Sequence, residues 1–290
     1  MPWNPSSFKA YLKRIYLSIG QPNRLIALDY PAVPKPSYTL QNPHRKLLDI
    51  ISGNQEQYAE LLHASKEYFP ALQAIRHSKK ETDIQVPTWN SGYMPGLDMM
   101  MLYTLLNHFK PKKYIEIGSG TSTKIAGKAR KEAGLNYTIT CIDPLPRQEI
   151  NAIADEWHQK RVQEVSVDLF SGLSANDFVF FDGTHMVLPS SDVSHFFLEL
   201  LPCLPKGVLV QVHDIYLPYD YPQAMCNRYY SENYILGAVL LAHPEKYKII
   251  CPNFYISREP QLAEIIESFW RHPNLQSVEK HGGSFWFQVQ

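Results

Sequence analysis

Short apolar runs alternate with amphipathic stretches along the chain from about residue 113 onward. Continuous apolar runs such as F-V-F-F and V-L-V-Q-V are typical of central parallel strands that are covered on both faces. The segments between these runs repeat their apolar residues with the period of a helix. The pattern predicts an α/β fold with a seven-stranded, mostly parallel sheet and helices on both faces. The predicted strands are the run K-Y-I-E-I, Tyr137–Ile142, Val162–Val167, Phe178–Phe181, Val208–Val212, Tyr247–Cys251 and Ser284–Val289.

The first part of the chain has a different pattern. Residues 1–42 are rich in proline and aromatic residues without clear periodicity, whereas His44–Ile51 and Gln55–Ile75 have the apolar spacing of helices. We therefore expect residues 1–85 to form a helical extension that caps the binding edge of a larger domain, residues 86–290.

Two segments have the composition of shaped loops. T-W-N-S-G-Y-M-P-G-L-D precedes an apolar helix predicted over Met99–Phe109, and its Trp89 and Tyr93 either line a pocket or pack into the core. H-D-I-Y-L-P-Y-D-Y-P and N-R-Y-Y-S-E-N-Y follow the fifth strand and are dense in tyrosine. These tyrosines either form an acceptor pocket or pack on one another.

The run K-Y-I-E-I-G-S-G-T-S-T joins a strand to a glycine turn with the spacing E-x-G-x-G. A helix predicted over Ser122–Ala133 follows and ends at Gly134, which completes the first unit of a Rossmann-like sheet. Two glycines allow a sharp turn with a ligand lying directly against the backbone. Dinucleotide folds have a third glycine where this chain has Thr123, and Glu116 would repel a diphosphate. Glu116 instead suits a cationic ligand, such as the amino group and sulfonium centre of S-adenosylmethionine.

The residues E-I-G-S-G-T-S resemble the first motif of the class I methyltransferases. This resemblance extends over roughly Tyr114–Gln290 and implies that the last strand of the sheet runs antiparallel to the others. It also implies S-adenosylmethionine as the cofactor. The residues of the turn that would contact it are Glu116, Gly118, Ser119, Gly120 and Ser122.

Two further acids are candidates for the same cofactor. Asp143 follows the second predicted strand, where a carboxylate accepts hydrogen bonds from both ribose hydroxyls. Asp168 lies near the end of the third predicted strand, a position from which it would bind the adenine amino group. NAD-dependent enzymes also have an acid after the second strand, so Asp143 indicates a ribose more securely than a methyl donor.

Candidate chemistry lies at the ends of the fourth and fifth strands. The fourth ends in F-F-D-G-T-H, with Asp182 and His185, and the fifth ends in Q-V-H-D, with His213 and Asp214. If the two strands are parallel neighbours, these four side chains meet at the ligand-binding rim of the sheet. Such a set could ligate a divalent metal or supply a general base.

The same residues resemble a subset of metal-dependent class I O-methyltransferases that act on sugar hydroxyls. The resemblance implies that Asp182 also lies against the cofactor, that Asp182, His213 and Asp214 hold a metal, and that His185 is the base. His213 departs from the pattern because it replaces a carboxylate, and magnesium prefers oxygen ligands. Manganese, iron, zinc or no metal at all therefore remain alternatives to magnesium. The acid–base mechanism itself does not need a metal.

Composition narrows the class of partner. The 290 residues carry equal numbers of acidic and basic side chains and no basic block, so we expect a small-molecule acceptor rather than nucleic acid or a membrane. The four cysteines lack metal-type spacing, and the first residues contain no apolar signal core, which favours a cytoplasmic location. The pattern leaves a homo-oligomer open.

The sequence thus predicts a methyltransferase that transfers a methyl group from S-adenosylmethionine to an oxygen of a small hydroxylated acceptor. Two alternatives stay open at this stage. One is a nucleotide-dependent oxidoreductase that uses NAD(P), and the other is a non-catalytic Rossmann-like protein that binds the cofactor without transfer.

Overall fold

The computed structural model describes residues 12, 15–16, 18–21, 26, 28–146 and 148–290. The chain forms two compact units, Met1–Lys35 and Pro36–Gln290. Most of the first 27 residues, for which no periodicity was predicted, lie outside the described part of the chain. The predicted domain boundary near residue 85 is not the point at which these two units divide.

A seven-stranded sheet forms the centre of the larger unit. Its strand order is β3-β2-β1-β4-β5-β7-β6, and β7 runs antiparallel to both of its neighbours while the other strands run parallel to one another. The predicted Rossmann-like α/β fold with an antiparallel last strand is confirmed. The strands are β1 Lys113–Ile117, β2 Thr138–Ile142, β3 Glu156–His158, β4 Phe178–Phe181, β5 Leu209–Val212, β6 Tyr247–Pro252 and β7 Phe285–Val289.

The prediction of the third strand is wrong. Val162–Val167 was expected to be extended, but β3 is the short edge segment E-W-H that ends at His158, and Val162–Glu164 forms a 3₁₀ turn. An edge strand of three residues has too few positions to give a recognisable period-2 pattern. The valines that suggested a strand instead contact the core from a turn, where Val162 is fully buried.

Helices pack on both faces of the sheet. The predicted long helix over Gln55–Ile75 is divided, because a 3₁₀ turn over Lys66–Tyr68 interrupts it and a new helix starts with Pro70 in its first turn. The helices are α1 Arg45–Ser52, α2 Gln55–Ser65, α3 Phe69–Gln73, α4 Gly96–Phe109, α5 Thr121–Glu132, α6 Asp168–Ser171, α7 Asp192–His195, α8 Leu201–Cys203, α9 Gln223–Cys226, α10 Glu232–Ala242, α11 Asn253–Arg258, α12 Pro260–Ile265 and α13 Glu267–Trp270. A π-helical turn over Phe196–Leu200 joins α7 to α8.

Helix α4 is the most deeply buried helix of the unit. Nearly every side chain from Gly96 to Asn107 is buried, including the carboxylate of Asp98. Helices α1 and α2 pack against α10, α4, α12 and β6 rather than over the ligand-binding edge of the sheet. In the part of the chain that the structure describes, no helix has both the length and the apolar character needed to cross a bilayer.

Candidate functional site

A cleft of about 1170 Å³ opens at the carboxyl ends of the central strands. The strand order reverses direction between β1 and β4, which is where ligands bind in open α/β sheets. Backbone hydrogen bonds fix this rim, because Asp182 N–H donates to the carbonyl of Ile117 and His213 N–H donates to that of Phe181, both at 2.9 Å. The residues that follow β1, β4 and β5 therefore meet at one edge.

The glycine turn forms one wall of the cleft. Gly118, Ser119, Gly120 and Ser122 all line it, as predicted for a cofactor loop. Gly118 has a φ of +81°, and a Cβ added there would lie 2.0 Å from the backbone oxygen of Asp182. A side chain at this position would thus meet both backbone strain and a rigid obstacle.

Glu116 lies beneath this turn and does not line the cleft. Its side chain is fully buried and accepts hydrogen bonds from the hydroxyls of Tyr114, at 3.2 Å, and of Thr123. Thr123 Oγ1 in turn accepts the N–H of Gly120 at 3.0 Å. Burial raises the pKa of Glu116 to about 7, although hydrogen bonds from Ser122, Thr123 and Tyr114 oppose the shift. In this structure Glu116 orders the glycine turn and does not face the ligand space where the sequence placed it.

Asp143 lines the cleft next to the turn. Its carboxylate accepts the N–H of Ser119 at 2.9 Å and the N–H of Leu145 at 2.8 Å. Each oxygen retains a second acceptor site, so the position remains suited to ribose hydroxyls.

Asp168 is not part of the cleft. It begins helix α6, is exposed, and accepts a hydrogen bond from Ser166 Oγ at 3.0 Å. The prediction that it binds adenine depended on a third strand over Val162–Val167, which does not exist. Gln163 lines the cleft beyond Asp143 instead, with its Nε2 bound to the carbonyl of Ser190 and its Oε1 buried without a partner among the described residues.

His185 follows β4 and lies at the floor of the cleft. Its Nδ1 is 2.6 Å from Oε1 of Glu232, whose side chain is fully buried at the start of α10. Its Nε2 lies 3.7 Å from Oδ1 of Asp182 and 3.5 Å from Oδ2 of Asp214. The ring also stacks on Tyr230, with centroids 4.5 Å apart. His185 has a φ of +66°, an uncommon backbone conformation for a non-glycine residue.

His213 has a parallel arrangement at the end of β5. Its Nε2 lies 3.3 Å from Oδ2 of Asp98, an ion pair in which the N–H is not aligned on the oxygen. Its Nδ1 lies 3.7 Å from Oδ1 of Asp182 and 3.5 Å from Oδ1 of Asp214. The four predicted rim residues thus converge, and each imidazole faces a third, fully buried carboxylate through its other nitrogen.

The neighbouring carboxylates raise the pKa values of both histidines. Burial lowers the pKa of His185, but the negative charges of Glu232, Asp182 and Asp214 outweigh this effect and raise the pKa to about 9. Burial also lowers the pKa of His213, but the negative charges of Asp182, Asp98 and Asp214 outweigh this effect and raise the pKa to about 10.

The predicted metal set does not fit a metal ion. Within the ranges that the structure describes, no group of three or more His, Cys, Asp or Glu side chains is arranged to hold one. Both nitrogens of His213 face carboxylates, and a protonated imidazole has no lone pair to donate to a metal.

The tyrosine-rich segments serve two roles. Tyr219 and Tyr221 pack in a buried aromatic cluster with Phe254, which is the alternative of a loop packed on its own rings. Tyr216 and Tyr230 belong to the same cluster but also line the cleft, together with Met225 and Arg228. Of the earlier loop, Tyr93 lines the cleft, whereas Trp89 is fully buried against Phe269.

Three residues of this site escaped the sequence analysis. Asp98 carries the clearest signal, since it is a single acid within the apolar run G-L-D-M-M-M. Glu232 and Gln163 carry none, because neither stands in a distinctive local pattern and only the fold brings each to the cleft.

Residues 115–215 match a family model described as a methyltransferase domain. No curated protein matches the chain in sequence.

Among solved structures, the O-methyltransferase from Bacillus cereus in complex with SAH shares 12% identity and a TM-score of 0.39, over 85% of this chain and 96% of that one. The SAH-bound Podospora anserina methyltransferase PaMTH1 shares 11% identity and a TM-score of 0.39, over 100% and 98%. The branched-chain polyamine synthase from Thermus thermophilus shares 13% identity and a TM-score of 0.41, over 78% and 63%. At these identities and TM-scores the likenesses carry no conclusion about this chain.

Proposed function

We propose that this chain, which is a class I S-adenosylmethionine-dependent methyltransferase with its methyltransferase domain over residues 115–215, methylates a hydroxyl oxygen of a small acceptor. His185 is the general base of the proposed reaction. The observation that carries the proposal is the pairing of His185 with the buried Glu232 at the floor of the cleft.

The donor side of the cleft is the glycine turn. In the proposal the backbone from Gly118 to Ser122 holds the donor, and Asp143 accepts hydrogen bonds from its ribose. S-adenosylmethionine supplies an activated methyl group on a sulfonium centre.

The acceptor side holds the base. A hydroxyl placed next to Nε2 of His185 would transfer its proton to that nitrogen while its oxygen attacks the methyl group in line, and the sulfur–methyl bond would break to release S-adenosylhomocysteine. Glu232 holds Nδ1 as a donor, so that Nε2 is the nitrogen that exchanges protons with the substrate. Carboxylates on both sides of the ring then stabilise the imidazolium that forms, as in other carboxylate–histidine pairs.

The acceptor is proposed to be small and hydroxylated, such as a sugar or another natural product. Tyr216 and Tyr230 support this, because each presents an aromatic side chain with a hydroxyl at the cleft. The zero formal net charge favours neither nucleic acid nor an anionic membrane surface as a partner. A cytoplasmic location belongs to the same proposal.

Calorimetric titration with S-adenosylhomocysteine, with NAD as the parallel control, tests the donor half. We expect binding of the first ligand alone. A panel of sugars and phenols incubated with radiolabelled S-adenosylmethionine then identifies an acceptor. His185→Gln should bind S-adenosylhomocysteine like the wild type and lose at least about 100-fold in transfer rate. Transfer at the full rate by this variant would show that His185 is not the base, and a protein that binds the donor but methylates nothing in the panel would favour a non-catalytic role.

A further inference from the structure

The imidazole of His213 lies between carboxylates on opposite sides. Asp98 faces Nε2 from inside the protein, at 3.3 Å. Asp182 and Asp214 face Nδ1 from the cleft, at 3.7 and 3.5 Å. The side chain of His213 is only 5% exposed, so these carboxylates are its main polar surroundings.

Asp98 is fixed as a hydrogen-bond acceptor. It is fully buried and accepts three N–H groups, from Asn253 Nδ2 at 2.7 Å, Gly283 at 2.7 Å and Ser284 at 2.9 Å. Burial opposes ionisation, but the pKa of Asp98 is lowered, chiefly by the neighbouring His213 and further by the hydrogen bonds from Gly283 and Asn253. A Cβ at Gly282 would lie 2.3 Å from Oδ1 of Asp98, so the H-G-G-S segment is shaped around this carboxylate.

Carboxylates on both sides of the ring favour a proton on each ring nitrogen. A neutral imidazole would leave the lone pair of one nitrogen on a side that carries a carboxylate, which is repulsive. A doubly protonated ring presents an N–H on each side and leaves no carboxylate facing a lone pair. The raised pKa of His213 agrees with this state.

An imidazolium at this point has an electrostatic consequence for the cleft. It brings positive charge to Asp182 and Asp214, the two carboxylates between which the sequence predicted a metal ion. It also repels a second cation from the same space. The lack of any metal-holding group among the described residues agrees with this arrangement.

We propose that the imidazolium of His213, anchored by Asp98, takes the place of a divalent cation between Asp182 and Asp214, so that the enzyme operates without a metal. This inference depends on the proposed function only for the identity of the reaction, the methyl transfer, that proceeds without a metal. The geometry concerns His213 and its carboxylates and does not depend on the acceptor.

Titration with Mn²⁺, followed by electron paramagnetic resonance, tests the proposal without any acceptor. The wild type should show no stoichiometric Mn²⁺ site. His213→Asp, which places three carboxylates together, should bind Mn²⁺ at least about tenfold more tightly than the wild type. His213→Asn is the matched control of similar size, and it should not gain this affinity. A stoichiometric Mn²⁺ site in the wild type that Asp214→Asn abolishes would overturn the proposal.

A second measurement uses only the wild type and covers the case in which the variants do not fold. Nitrogen NMR of the histidine rings at pH 7.5 should show both nitrogens of His213 protonated. A neutral tautomer would overturn the proposal. Failure of methyl transfer to hydroxyls would refute the proposed function but would leave the Mn²⁺ and NMR results unchanged. Failure of the proposed function can therefore be distinguished from failure of this inference.

Discussion

Glu232 holds its Oε1 atom 2.6 Å from Nδ1 of His185, although 47 positions separate the two residues in the sequence. The neighbours of Glu232 hold the same histidine, since Tyr230 stacks on its ring and Ser231 N–H donates to its carbonyl at 2.8 Å. A non-glycine residue at a φ of +66° persists only where its surroundings determine it in this way. The start of α10 therefore fixes both the place and the orientation of the proposed base.

The rate of methyl transfer should depend on pH through this histidine. The carboxylates that face His185 raise its pKa to about 9, so at pH 7 most molecules carry the protonated ring and lack a base. We expect kcat/KM to rise from pH 7 and to level off above pH 9, since this ratio reports the free enzyme. Initial rates across pH 6 to 10 with a buffer series of constant ionic strength measure this. A profile that is flat or falls over that range would contradict the assignment.

Glu232→Gln should move that profile. The exchange removes one of the negative charges that raise the pKa of His185, so the rising limb should shift to lower pH. The maximal rate should fall by at least about tenfold, because the imidazolium formed during transfer loses its buried partner. The matched control is Glu245→Gln, at an exposed carboxylate 3.6 Å from His243, which should change neither the limb nor the rate. A Glu232 variant that is slower, but whose rate rises over the same pH range as that of the wild type, would indicate a purely structural role.

The sequence predicted the sheet well because continuous apolar runs mark central strands, and all five strands between the two edges were found. It misplaced β3, since an edge strand of three residues leaves little pattern, and that error moved the adenine prediction to Asp168. The rim residues were found because they lie just after central strands: Asp182 and His185 after β4, and His213 and Asp214 after β5. Glu232 was missed because its role depends on where α10 packs, which no local pattern records. Asp98 was missed although a single acid within an apolar run is a local signal of a buried polar role.

Gly118→Ala should disrupt the glycine turn far more than a positive φ alone explains. The new Cβ would meet the backbone oxygen of Asp182, which cannot move without displacing the end of β4. Gly134→Ala is the matched control, since Gly134 also has a positive φ, +61°, but open space around it. We expect the control to cost about 1 to 2 kcal/mol and to bind S-adenosylhomocysteine normally. Gly118→Ala should cost more and lose that binding, as urea unfolding and calorimetry would show, and equal effects of the two variants would argue against a close approach.

Gln163→Leu should weaken binding of S-adenosylhomocysteine by about tenfold, or about 1.4 kcal/mol. Its Oε1 is a buried acceptor at the cleft wall with no partner among the described residues, and it is suited to the adenine amino group. Asp168→Asn, at the exposed position that the sequence favoured, should leave the affinity unchanged. Calorimetry on both variants decides between the two residues, and the opposite ranking would restore the original prediction.

Glu116→Gln should change the pH dependence of stability, because Glu116 has a pKa of about 7 in the fold against 4.5 as the ordinary value. A raised pKa means that the folded state favours the neutral form. The resulting stabilisation is complete below pH 4.5 and is lost as the pH rises through 7. For a fully buried group this loss reaches about 3 kcal/mol.

Glutamine cannot ionise, so the variant does not suffer this loss. Between pH 5 and 8 its unfolding free energy should therefore rise relative to that of the wild type. The lost hydrogen bond from Thr123 adds only a difference that does not depend on pH. Urea unfolding of both proteins at several pH values measures the difference, with Glu60→Gln at an exposed site as the control for the exchange itself. A difference that does not vary with pH would show that Glu116 stays ionised beneath the turn, so that its hydrogen bonds from Thr123 and Tyr114 outweigh burial.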